Sequence, residues 1–171
     1  IADHCRVGKI MKTIIAIDPG QSGGIAILKV ARILNEDRNA YIDNPLDVNV
    51  VSMPSTIKDI IDLLSSNFGD KVLYLEDVHS MPGQGVASSF KFGRGFGNLE
   101  AIAITLCYKL IYVRPQVWQK HFSLLTRKDE TKTEHKNRIK AFAQQRYPNI
   151  KVTLSTADAL AILEYAKEKE K

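Results

Sequence analysis

Cysteine is nearly missing from this chain: Cys5 and Cys107 are the only two in 171 residues. Two isolated thiols build no disulfide framework, and neither lies in a Cys/His spacing that would hold zinc. That scarcity points to a reducing, cytoplasmic setting. Long hydrophobic runs are absent as well. No apolar stretch approaches the roughly 20 residues needed to span a bilayer, which excludes a membrane-spanning protein on this pattern. No secretory signal pattern, internal repeat or domain-splitting linker is visible either.

What is present is ordinary for a globular chain, with 44% hydrophobic and 25% charged residues. The length suits one domain with a real core. "IADHCRVGKI" matches no element, so residues 1–10 read as an upstream extension and residues 11–171 as a single domain. The net charge of +5 is unevenly placed. Between Lys109 and Arg146 ten Lys/Arg face only three acids, a larger excess than the whole chain carries. A local basic field of that kind favours a polyanionic partner.

The elements can be followed by hydrophobic period. Thr13–Ile17 is an isoleucine-rich run ended by Pro19-Gly20 and reads as a buried strand, followed by Ile25–Val30 as its hairpin partner. Residues 32–45 are polar and predict an irregular excursion. Val48–Met53 is a third strand. Ser55 or Thr56 caps a helix bearing Ile57, Ile60, Ile61 and Leu64. Val72–Leu75 is a fourth strand, and a Gly/Ser-rich loop leads to a helix from about Ser88 to Cys107. Leu110–Val113 is a short strand, Pro115 opens a short helix, residues 131–146 form a basic helix, and Ser155–Lys169 form the last one. This order predicts an α/β fold: a mixed sheet flanked by helices, with the first strand parallel to the fourth.

That pairing brings two strand-end carboxylates together. "IIAIDPG" ends in Asp18 and "VLYLEDV" in Glu76 and Asp77. Strand side chains alternate, so only one of Glu76 and Asp77 can join Asp18, and the pattern alone does not say which. A third candidate is Asp158, on the helix face of Ala161, Ile162 and Tyr165, where an unpartnered acid is unexpected. The competing role for Asp158 is capping, since Ser155 and Asp158 have the spacing of a capping box. Three converging carboxylates repel one another unless a cation joins them. Hard oxygen donors suit Mg²⁺, with Mn²⁺ as a substitute, and up to two ions could serve a phosphodiester displacement.

Four stretches, "IAIDPGQSGGIAIL", "LYLEDVHSMPGQGVASSFKFGRGFG", "VRPQVWQK" and "STADALAILEYA", occur in the order found in RuvC-type Holliday-junction resolvases of the RNase H-like superfamily. Over about residues 12–166 the chain resembles that family. The Pro-Gly-Gln-Gly and Phe-Gly-Arg pattern is most similar to phage-encoded members, of the lactococcal phage type. The resemblance implies an RNase H-like mixed five-stranded sheet and a homodimer acting on branched DNA in the cytoplasm of a bacterial host. It also implies metal-dependent paired nicks that leave 5′-phosphate ends. It places the metal-binding and catalytic acids on Asp18, Glu76 and Asp158. Many relatives carry another acid or a histidine where this chain has Ser155, which makes that serine the uncertain, metal-adjacent position. A basic residue of the family falls near Trp118, where Lys120 could stand in, and another falls on Lys136 as a catalytic cation.

The DNA-binding candidates are Lys91, Arg94, Lys120, Lys132, Lys136 and Arg138, with Phe90 and Phe92 as base-stacking candidates and the loop Met81–Ser89 as a further contact. Phe92, Phe96, Leu99, Ala103 and Leu106 recur as a core stripe, while Gly93 and Gly97 leave room for a second backbone and suggest a dimer face. Three rival functions share these residues: a flap, branch or RNase H-type nuclease of broader specificity; a junction-binding protein with a weakened metal site; and an actin-like phosphotransferase. The last needs a second lobe and nucleotide segment that this length does not accommodate, so no nucleotide cofactor is expected.

Overall fold

The computed structural model describes residues 9–34, 41–67, 69–79 and 85–171. Residues 1–8 and the first part of the loop at Met81 lie outside them. The elements run β1 (Lys9–Asp18), β2 (Gly24–Leu34), β3 (Tyr41–Ser52), α1 (Ile57–Ser65), β4 (Asp70–Glu76), α2 (Val86–Thr105), β5 (Lys109–Val113), α3 (Pro115–His121), α4 (Lys132–Arg146) and α5 (Ala157–Lys169). The five strands form one mixed sheet in the order β3-β2-β1-β4-β5. β1 is antiparallel to β2 and parallel to β4, and β5 is parallel to β4.

β1 is central, which explains its unbroken isoleucine run: both of its faces are covered. Ile14 and Ala16 join Val72 and Tyr74 of β4 in a core built on α5. Ile15 and Ile17 join Leu73 and Leu75 on the opposite face, against Ile60 and Leu64 of α1 and Leu99 and Ala103 of α2. The lower part of the α2 stripe is therefore core. α5 is buried almost all round, with Ala157, Ala159–Leu163 and Ala166 inside. Its far end is tied down where Lys12 Nζ meets the Glu170 carboxylate at 2.8 Å and Tyr74 Oη donates to Glu170 Oε1 at 3.1 Å.

Three boundaries differ from the sequence pattern. β1 begins at Lys9, ahead of Met11, and pairs there with Ile33. Much of the polar excursion at 32–45 is strand: the β2–β3 ladder continues through Arg32↔Asp43 to Leu34↔Tyr41 after an irregularity at Lys29/Val30. β3 is an edge strand, where Pro45 and polar residues are tolerated, so composition hid it. α5 starts at Ala157 with Thr156 at its N-cap, and no side chain caps it. Ser155 and Asp158 therefore form no capping box.

A candidate carboxylate site at the ends of the central strands

The pairing register runs Ala16↔Tyr74 and Ile17↔Leu75, so the next positions on the two strands are Asp18 and Glu76. Both continue the alternation of Ile14, Ala16, Val72 and Tyr74, on the face covered by α5. Asp77 falls in the other phase, with its carboxylate 3.7 Å from Arg114 and 3.9 Å from His79. The sheet thus selects Glu76 over Asp77, which the sequence pattern left open.

The chain turns sharply after Asp18, and glycine makes the turn possible. A Cβ on Gly23 would stand 2.1 Å from the Asp18 carbonyl oxygen. A Cβ on Gly24 would stand 2.7 Å from the Ser155 carbonyl oxygen, so the segment leading into α5 closes directly on the start of β2. That close approach delivers Asp158, in the first turn of α5, toward the strand ends.

Glu76 is buried, while Asp18 and Asp158 are partly exposed. Burial pushes Asp18 up to about 8, helped by the charges of Glu76 and Asp158 and by a hydrogen bond to Glu76, and opposed by Lys136. Burial likewise raises Glu76 to about 7, where Asp158 adds to the rise and hydrogen bonds from Trp118 and Asp18 oppose it. Both carboxyls are raised for the same reasons, burial and the neighbouring acid, so the pair titrates as one unit. Asp158 is raised by burial too, while Lys136 and His135 pull it back. The three acids therefore act on one another electrostatically, and Lys136 offsets part of the repulsion at Asp18 and Asp158.

All three donors are carboxylate oxygens, the hard set that Mg²⁺ or Mn²⁺ prefers. Among the described residues no three His, Cys, Asp or Glu side chains stand close enough together to hold an ion as they lie, so the acids would have to draw together around one. Burial and mutual repulsion raise the acids, and a divalent ion among such oxygen donors would relieve that repulsion. Asp18, Glu76 and Asp158 are the residues that would hold it.

Two neighbours were not legible as site residues. Trp118, at the position expected to be near a basic residue, is 1% exposed and donates from Nε1 to Glu76 Oε1 at 2.9 Å. His135 lies beside Asp158 with Nε2 2.7 Å from the Leu124 carbonyl. Its only signal was adjacency to Lys136. Ser155 turns elsewhere: its hydroxyl is 2.8 Å from Ser52 Oγ and 2.9 Å from Thr153 Oγ1.

The predicted cations divide into two groups. Lys91, Arg94, Lys120, Lys132 and Lys136 are exposed. Lys91, Phe92 and Arg94 line an open groove of about 1190 Å³ between α2, the start of α1 and the Gly20–Ser22 turn that follows Asp18. The three acids do not line it. Phe90 is 69% exposed, whereas Phe92 is half-buried with its ring 6.2 Å from that of Phe96. Arg138 is different. It donates from Nε and Nη2 to the two oxygens of Glu130 at 2.8 and 2.9 Å, from Nη2 to Leu125 O at 2.8 Å, and from Nη1 to Ser123 O at 3.2 Å. Its guanidinium is occupied inside the protein, where it fastens α4 to the preceding loop.

No protein-family model and no curated protein matches the sequence. Solved structures do match the fold. RuvC of Thermus thermophilus, solved in complex with a Holliday junction substrate, superposes with a TM-score of 0.55 at 14% identity, over 88% of this chain and 90% of that one. The fowlpox virus resolvase, solved with Holliday junction DNA, gives 0.51 at 14% identity, over 93% and 99% of the two chains. Five strands in this order with helices on both faces make the chain an RNase H-like α/β domain with the architecture of those resolvases.

Proposed function

We propose that the protein is a metal-dependent endonuclease that resolves four-way and related branched DNA. The observation that carries this reading is the electrostatic coupling of Asp18, Glu76 and Asp158, with Lys136 acting on two of them, on a fold shared with two junction-bound resolvases. A bound divalent cation would supply Lewis-acid chemistry for phosphodiester hydrolysis. The chain's own residues do the rest. The carboxylates fix where the scissile phosphate can sit, Lys136 offsets charge that builds on it, and the exposed cations of α2, α3 and α4 hold the backbone. A homodimer would present two equivalent sites to the two symmetry-related strands of a junction. The paired nicks would leave 5′-phosphate ends, and a phage origin fits the sequence pattern of the α2 segment.

The test is cleavage of a fixed four-way junction with and without Mg²⁺, beside a matched flap and an RNA–DNA hybrid. Magnesium-dependent paired nicks in the junction alone are expected. Equal cutting of flap or hybrid would move the protein to a broader branch or RNase H-type nuclease. One observation favours a second reading: Ser155 stands where many members of the family it resembles carry an acid or a histidine, and its hydroxyl is committed to Ser52 and Thr153. Junction binding without cleavage at any Mg²⁺ or Mn²⁺ concentration would establish that reading.

A further inference from the structure

We propose that Trp118 is a positioning residue for the carboxylate site, its indole N–H fixing one oxygen of Glu76 so that the remaining lone pairs face Asp18 and an incoming cation. The inference rests on the metal-holding reading of the cluster. Trp118 is carried by α3, which Pro115 opens, and its ring is buried in the core that includes Tyr74, Val113 and Ile139. Nε1 donates to Glu76 Oε1 at 2.9 Å in a buried contact. An indole nitrogen only donates, so this bond has one polarity and cannot invert with pH.

Bulk alone does not require tryptophan at this point; a phenylalanine would fill much of the same space. The N–H is what meets the acid. Its neutrality also matters. A buried lysine reaching Glu76 would cancel one carboxylate charge and compete with a cation for it. The indole stabilises the carboxylate and leaves the full negative charge in place. Side chains that orient metal-holding groups in this way typically set metal affinity by 10- to 100-fold.

The chain contains a single tryptophan, so its fluorescence reports on this contact alone. Titrating Mg²⁺ into the DNA-free wild-type protein should change the indole emission along a saturable curve. Its midpoint should coincide with that of Mg²⁺-dependent thermal stabilisation. In Trp118→Phe the stabilisation midpoint should rise about tenfold or more, with cleavage recovering toward wild type at high Mg²⁺. A purely structural role would lower the melting temperature in chelator and leave the midpoint where it was. A folded Trp118→Phe with the wild-type midpoint overturns the inference, as does Mg²⁺ stabilisation of wild type with no change in emission. If Trp118→Phe does not fold, the wild-type emission decides. A saturable emission change in a protein that cuts no DNA keeps this inference and removes the nuclease reading. Cleavage with unresponsive emission does the reverse.

Discussion

Glu130 meets a guanidinium that donates to both of its oxygens, and Arg138 and the Arg127 backbone N–H hold its carboxyl down at about 2. Glu76 meets a neutral indole and two other acids, and burial pushes its carboxyl up to about 7. The same residue type is satisfied within the chain in the first place and left short of positive charge in the second. Near α4 the protein supplies its own cation, whose donors are taken up by Glu130 and by carbonyls of the 123–125 segment. At the sheet end the available cation, Lys136, is exposed and only partly offsets the repulsion. A structural ion pair and the proposed cation site are thus told apart by what completes the charge.

The largest expected effect breaks the site side of that comparison. Asp18→Asn should reduce junction cleavage below detection while junction affinity in chelator stays near wild type, because the proposed function gives chemistry to the carboxylate and binding to the basic surface. Nicking by Asp18→Asn at a near wild-type rate would remove the assignment.

Next in size is stability against pH in metal-free protein. Asp18 and Glu76 are raised from about 3.8 and 4.5 to about 8 and 7. The folded state therefore binds more protons than the unfolded one across that window. The contribution of these two groups to stability is fully present below pH about 4 and is lost as pH rises toward about 8, by on the order of a few kcal/mol. Glu76→Gln should flatten the decline, and saturating Mg²⁺ should stabilise the protein more at pH 8 than at pH 5. Thermal melts across pH check both. The Glu130–Arg138 pair runs the other way: its contribution is present above pH about 4.5 and lost as pH falls through about 2. The melting difference between wild type and Arg138→Ala should accordingly shrink in acid.

A smaller effect sharpens the difference between free and committed cations. Lys132→Gln with Lys136→Gln should flatten the slope of log affinity against log salt by about 1 per lost phosphate contact. Arg138→Gln should leave the slope unchanged in folded protein, because its donors already have partners. A slope change with Arg138→Gln matching that of the lysines would show that DNA displaces Glu130.

The smallest effect is expected at Ser155. Its hydroxyl bonds Ser52 and Thr153, so Ser155→Ala should shift the Mg²⁺ midpoint by no more than about twofold, the scale of a minor substitution. Ser155→Asp sets the other limit. A marked fall in its Mg²⁺ requirement would show that this position can reach the metal after all.

Asp18, Asp158 and one of Glu76 and Asp77 stood out as candidates because each breaks a strong local pattern: acids ending apolar strands, and one on an apolar helix face. The core of α2 and the course of the central strands were legible for the same reason. The continuation of β2 and β3 was not, since an edge strand tolerates proline and polar residues that mimic a loop. Arg138 resembled every other cation in its helix until Glu130 and the 123–125 carbonyls were seen around it. Ser155 had the spacing of a cap, but α5 begins one residue too late for that role.

Local order, the hydrophobic period and the position of each acid within its element are properties of the sequence by itself. They sufficed for a mixed α/β sheet with carboxylates at the ends of its central strands. The phase that puts Glu76 rather than Asp77 on the α5 face, which the residue pattern left open, the indole on Glu76, the turning of Ser155 toward Ser52 and the internal use of Arg138 were decided by tertiary structure. Each depends on partners brought together by the parallel register of β1 and β4 and by the packing of α3, α4 and α5. Contacts between residues distant in the chain leave no local period, so which hydrogen-bonding groups and charges meet is fixed only when the elements pack.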